Sequence, residues 1–181
     1  MTDFQFPPEG INLIDIPFPS NAGVWGVCPG QGPIASLIRH LTASWAGHAV
    51  MYIGNGKIVE ATWPKVRLSP APTNNVIWAT GQPLSSTQFD SAGRVARMLV
   101  GSGYDLFVYP FLAAAVASAT ITRRVSPLFN SDRWWDCSGL IEHCDAVAGA
   151  PMFPGDAGSQ HFVTPSQLMT LGAQKGWFQG Q

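Results

Sequence analysis

Apolar and polar positions change period several times along this chain, and each change predicts a different element. Ile34, Leu37, Ile38 and Leu41 fall at i, i+3, i+4 and i+7, the apolar stripe of a helix, with Pro33 at its first position and Gly47 closing the segment. The period then drops to two. His48-Ala-Val-Met-Tyr-Ile53 and Lys57-Ile-Val-Glu-Ala-Thr62 flank Gly54-Asn55-Gly56, a hairpin with Asn-Gly turn chemistry. Upstream, residues 1–32 are punctuated by Pro and Gly, and the apolar pieces Ile11–Ile16 and Val24–Cys28 read as strands. Downstream, the Pro-rich stretch Pro64–Pro72 reads as a connection to a strand over Asn75–Ala79.

The second half reads as helices. One is expected over Ser91–Val100, with Val95, Met98 and Leu99 on its apolar side and Gly101 as its stop, and another over Phe111–Thr122. The last long helix is expected from the Trp134-Trp-Asp-Cys-Ser-Gly-Leu-Ile141 segment. Asp136 is its N-cap, Cys137 lies in its first turn, and Leu140, Ile141, Cys144 and Val147 form the stripe behind; Gly149 and Pro151 end it. Glu142 and Asp145 then fall on a solvated face. Thr164 and Pro165 open a short helix to about Leu171. Strands first and helices later indicate an α+β fold in one domain over residues 1–181.

Composition narrows the function classes. Apolar residues make up 46% and charged residues 12% of 181, with a net charge of −1, which excludes a disordered solvating chain and a basic nucleic-acid binder. No basic residue precedes Arg39, so no secretory signal peptide is expected, and the expected location is cytoplasmic or with a phage virion or lysis system. The apolar run Leu106–Ile121 contains Pro110 and falls short of the roughly 20 residues a bilayer needs, so it predicts a buried Ala-rich helix and no transmembrane segment. Three Cys cannot all be paired internally, and each thiol is weighed singly.

Cys137 is placed where chemistry is possible. The N-terminus of a helix offers partial positive charge and free N–H groups, which favour a thiolate and can hold the oxyanion of a tetrahedral intermediate, here through the amides of Cys137 and Ser138. A Cys nucleophile also needs a base, normally His, oriented by a third polar group. His40 lies off its helix stripe, His143 points about 240° around the helix from Cys137 at 100° per residue, and His161 sits in a Gly/Ser-rich loop. His48 opens a strand, where the backbone is rigid.

Glu60 is its orienter only in one register. A two-residue Asn55-Gly56 loop pairs Gly54 with Lys57 and sends His48 and Glu60 to opposite faces. A three-residue loop pairs Ile53 with Lys57, puts Val50 opposite Glu60, and makes His48 and Glu60 diagonal neighbours on one face. The triad therefore predicts a three-residue loop. The plain alternatives are a small buried thiol and a hydrogen-bonded core imidazole. Cys28 reads as structural, and Cys144, about 10 Å along the helix from Cys137 at 1.5 Å per residue, is too far for a disulfide. The spacing of Cys137, His143 and Cys144 does not match paired metal-ligand patterns, so neither a metal nor a cofactor is expected.

The segment Gly32-Pro-Ile-Ala-Ser-Leu-Ile-Arg-His40, the stretch Trp45-Ala-Gly-His-Ala-Val-Met-Tyr-Ile-Gly-Asn-Gly-Lys-Ile-Val-Glu-Ala61, the box Asp136-Cys-Ser-Gly-Leu-Ile141 and the closing Val163-Thr-Pro-Ser-Gln-Leu168 together resemble the permuted branch of the NlpC-type cell-wall peptidases. That branch includes YiiX-like amidases and, more distantly, lecithin retinol acyltransferase. The resemblance spans about residues 10–171 and is specific in three patches. It implies a circularly permuted papain-like fold, with the Cys helix packed on an antiparallel sheet, Cys137 as nucleophile, His48 as base and Glu60 as third residue. Ala49 and Val50 depart from the commoner residues after the His, and about 104–130 is an insertion before the Cys.

Three functions follow. The first is a cysteine amidase or peptidase acting on peptidoglycan stem peptides, a reading that makes the cell wall the partner and suits a bacteriophage or actinobacterial source; a phage virion or lysis setting would bring a leaderless enzyme to its substrate. The second is a lipid acyl hydrolase or acyltransferase on the same triad. The third is a catalytically silent binding or virion structural module. For the first two, Tyr52, Trp63 and Trp135 are the candidate substrate contacts.

Overall fold

The hairpin organises the sheet. In the computed structural model, which describes residues 16–105, 134–153 and 163–178, β2 (His48–Gly54) and β3 (Lys57–Thr62) pair antiparallel. Around them lie β1 (Trp25–Cys28), β4 (Lys65–Pro70), β5 (Ile77–Trp78), β6 (Gly103–Tyr104) and β7 (Trp134–Trp135), in the order β5-β1-β2-β3-β4-β6-β7. Every pairing is antiparallel except β6 with β7. Helices α1 (Gly32–Thr42), α2 (Ser86–Met98), α3 (Cys137–Val147) and α4 (Pro165–Gln174) complete the α+β architecture among the described residues.

Alternation along the strands sorts the core into two clusters. Ala49, Met51, Ile53, Val59 and Ala61 join Ala92 and Ala96 of α2, Leu140, Ile141 and Cys144 of α3, and Leu168 of α4. On the other side Cys28, Val50, Tyr52 and Ile58 meet Trp78 and Phe89. Helix α3 packs directly over β2 and β3, so the Cys helix lies against the central strands. No described helix is long and apolar enough to cross a membrane.

Several boundaries differ from the sequence pattern for identifiable reasons. The Pro-rich stretch contains β4, paired with β3 along its whole length, and Pro64 and Pro70 fall just before it and at its last position, where a missing N–H costs least. Helix α2 begins five residues earlier than the apolar periodicity, at a capping box between Ser85 and Gln88. Helix α1 stops at Thr42, before Gly47, with Ala43 left-handed, and it buries Ala35 and Ile38 while Leu37 faces out. Met98 is exposed at the end of α2, and α4 runs on past Leu171 to Gln174. The expected helix over 111–122 lies outside the described residues, as does the expected strand over 11–16 except for Ile16, which belongs to no strand.

The stripe of α3 is also rotated. Val147 is exposed and Asp145, placed by the sequence on a solvated face, is fully buried. Gln82 Nε2 donates to Asp145 Oδ2 at 2.7 Å, which is why the carboxyl is tolerated there. Glu142 is half-buried and accepts from the Met152 amide. Among the described residues Asp145 Oδ1 and Gln82 Oε1 have no hydrogen-bond partner, and burial, opposed by the Gln82 bond and reinforced by the charge of Glu142, pushes the Asp145 carboxyl up to about 8. Since the folded value lies above the usual aspartate value near 4, this group's contribution to stability is complete below about pH 4 and is lost as pH rises through about 8. Asp145→Asn keeps an amide partner for Gln82 and removes the titration. Its urea midpoint should exceed that of the native chain at pH 8.5, with the gap closing by pH 5. A gap that does not depend on pH would refute the assignment.

Candidate active site

The first residue of β2 brings the site together. His48 lies directly across from Cys28 on β1 and follows Gly47, whose amide donates to the Cys28 carbonyl. Gly30 makes the ring's niche possible. Its φ is +67°, and a Cβ there would lie 2.7 Å from the His48 Cβ and 2.8 Å from the Ala35 Cβ. Arg39 of α1 donates to the Pro29 carbonyl at 2.7 Å and fixes this loop against the helix.

Register settles the partner of the ring, by a route the sequence reading did not foresee. The turn is the two-residue one: Gly54 pairs with Lys57, and Asn55 and Gly56 both have positive φ. By itself that turn would separate His48 from Glu60. A bulge at Ile53 absorbs one residue, so Tyr52 pairs with Ile58 and Met51 with Val59. Continuing that register sets Val50 opposite Glu60 and returns His48 and Glu60 to one face. His48 Nε2 and Glu60 Oε2 are 2.8 Å apart.

Glu60 is buried and accepts from three groups. Its Oε1 takes the Ser69 hydroxyl at 2.6 Å and Arg67 Nε at 3.0 Å, while Oε2 takes the ring. Burial alone raises a carboxyl; here the hydrogen bond and charge of His48, with the Ser69 and Arg67 bonds, outweigh it and bring Glu60 down to about 2. Burial likewise opposes a charged ring, yet hydrogen bonds to Cys137 and Glu60 hold His48 well above its ordinary value. With Nε2 committed to Glu60, Nδ1 is the nitrogen left for the Cys137 sulfur.

Cys137 reaches the ring from the head of α3. The short strand β7 runs into Asp136, whose Oδ1 caps the helix by accepting from the amides of Ser138 at 3.0 Å and Gly139 at 2.9 Å. A Cβ on residue 139 would sit 2.8 Å from Asp136 Oδ2, so the cap requires glycine at that position. Burial, against those two bonds, raises Asp136 to about 6, with the charge of Asp105 adding to the rise. The cap also corrects the expected oxyanion donors: the Ser138 amide is already engaged, and the Cys137 amide is the candidate that remains.

The structure divides the other expected residues. Tyr52 is 6% exposed, stacked on Phe18 and edge-on to Trp78, and Trp135 is 2% exposed against the His143 ring. Both are core residues, placed there by the strand alternation, and neither has surface for a substrate. Trp63, 59% exposed, follows Thr62 on the β3–β4 turn at the His48 end of β2. His40 is exposed, and His161 lies outside the described residues. Cys28 and Cys144 are buried, with both thiols raised by burial, Cys144 as well by the Asp145 charge. Arg67 and Ser69 were hidden from sequence reading inside the Pro-rich stretch; polar residues alternating with Val66 and Leu68 were the signal. Among the described residues no group of three His, Cys, Asp or Glu is arranged to hold a metal.

The Glu60–His48 pair has its own stability window. A lowered Glu60 contributes above about pH 4.3 and loses its contribution as pH falls toward about 2; a raised His48 contributes below about pH 6.5 and loses it as pH rises through its folded value. The destabilisation caused by Glu60→Gln, measured by urea unfolding, should therefore be greatest between about pH 4.3 and 6.5 and shrink on either side. A loss that is flat with pH would show the pair to be uncharged.

No family model matches this chain, and no curated protein matches it at a significant level.

Proposed function

We propose that this chain is a cysteine-dependent amidase or peptidase of permuted papain-like type. The observation that carries the reading is Glu60 holding the His48 ring, with Nε2 and Oε2 at 2.8 Å and the Cys137 side chain near enough to raise that ring. In the proposed reaction the proton of the Cys137 thiol already rests on His48 Nδ1, and the sulfur bonds to the acyl carbon as the thiolate. The oxyanion accepts from the Cys137 amide. Collapse breaks the C–N bond, His48 gives its proton to the leaving amine, and water, deprotonated by the same ring, then releases the acid. Glu60 keeps the ring oriented throughout.

The resemblance in the His48–Ala61 and Asp136–Ile141 segments supports the permuted NlpC-type assignment and makes peptidoglycan stem peptides the favoured substrate class. Trp63 is the side chain with open surface from which substrate contacts would come. One observation favours a rival: Cys137 is only 2% exposed, as in a silent binding module that keeps the same side chains.

Labelling and turnover separate these. Iodoacetamide at neutral pH should modify Cys137 ahead of Cys28 and Cys144, and a purified muropeptide should be cleaved faster than an acyl ester. Cys137→Ala and His48→Ala should lower kcat/KM by on the order of 10⁴-fold or more, and Glu60→Gln by about 10²–10⁴-fold. No preference for Cys137, with full muropeptide binding retained by Cys137→Ala, would establish the binding module instead.

A further inference from the structure

Strand β4 adds two side chains to the site that sequence patterning did not single out. Arg67 stands directly across from Glu60, and Ser69 lies two residues further along the same face. Both donate to Oε1, at 3.0 and 2.6 Å, and neither touches Oε2. The two carboxylate oxygens therefore have separate tasks. Oε1 is fixed to β4, and Oε2 is left to the ring at 2.8 Å.

That division has a geometric consequence. A glutamate side chain bound through one oxygen alone can swing about its terminal torsions and exchange oxygens. Two donors on Oε1 fix the carboxylate plane, one of them a charge-assisted O–H···O⁻ bond of the short, strong kind. A fixed plane fixes the direction of Oε2, which in turn fixes which ring nitrogen carries the proton. Only the tautomer with the proton on Nε2 leaves Nδ1 as an acceptor for the thiol. Packing gives no other reason for Arg67 to be held here: its side chain is 55% exposed while that of Glu60 is 11% exposed.

We propose that Arg67 and Ser69 are positioning residues that clamp Glu60 Oε1 to β4, so that Oε2 holds the His48 ring with Nδ1 turned to the Cys137 sulfur. The proposal rests on the hydrolase reading for its catalytic meaning, but its physical content is testable without a substrate.

The test uses the full chain labelled with ¹³C and ¹⁵N, following the Glu60 carboxyl carbon and the His48 ring nitrogens from pH 2 to the alkaline end of the His48 titration. In the native chain the neutral ring should be a single Nε2–H tautomer. In Arg67→Ala, and separately in Ser69→Ala, the Glu60 midpoint should rise by about one pH unit, and the neutral ring should become a mixture of tautomers. Arg67→Lys should restore part of the midpoint, as a point charge, while leaving the tautomers mixed. Lys65→Ala, which alters β4 without touching Glu60, should change neither. Glu60 and His48 titrations unchanged in both Ala variants would overturn the clamp, whatever iodoacetamide does at Cys137. Titrations that move as expected while Cys137 is never preferentially labelled would overturn the hydrolase reading instead, and the catalytic meaning of the clamp with it.

Discussion

A carboxylate removed from water costs several kcal/mol unless its oxygens are answered by donors, and the site depends on how Glu60 meets that condition. Three donors from two strands converge on it: the His48 ring from β2, and Arg67 and Ser69 from β4. Since Glu60 itself stands on β3, the acid ties three adjacent strands of the sheet together at one point. The same bonds that make its burial tolerable also orient the imidazole. The sheet in this register therefore brings the His48 ring and the Glu60 carboxylate together.

Helix α3 carries an acid of different character at each end, one part-buried and one fully buried. Asp136 caps the head and, at about 6, is poised near neutrality; Asp145 near the tail is pinned to Gln82 and raised to about 8. The Asp136 cap occupies two of the amides that would otherwise lie open at the positive pole of α3. The placement of Cys137 is consequently set by backbone contacts, with Gly139 allowing the cap to close and Gly30 leaving room for the ring it faces.

Much of this was legible from residue patterns. The α+β class, the hairpin, Asp136 as N-cap and the pairing of His48 with Glu60 follow from period, cap chemistry and alternation. What escaped has physical causes. Strand β4 was masked by its flanking prolines, and with it Arg67 and Ser69. The burial of Asp145 depends on Gln82, 63 positions distant in sequence, which no local rule reports. Tyr52 and Trp135 looked like surface aromatics because their neighbours carry the motifs, whereas the tertiary packing that covers them is nonlocal. The turn was misjudged in detail and right in consequence, since a bulge and an extra loop residue shift the ladder equally.

The bulge at Ile53 has a consequence for how this ribbon can change over evolutionary time. Hairpin tips ordinarily tolerate insertions and deletions better than any other part of a sheet. Here the number of residues between His48 and Glu60 decides whether the two side chains share a face. Loss of the bulged residue alone would leave the two-residue turn and the same ladder, so a tip shorter by one keeps the pair together, whereas a tip longer by one parts them unless a further bulge absorbs it.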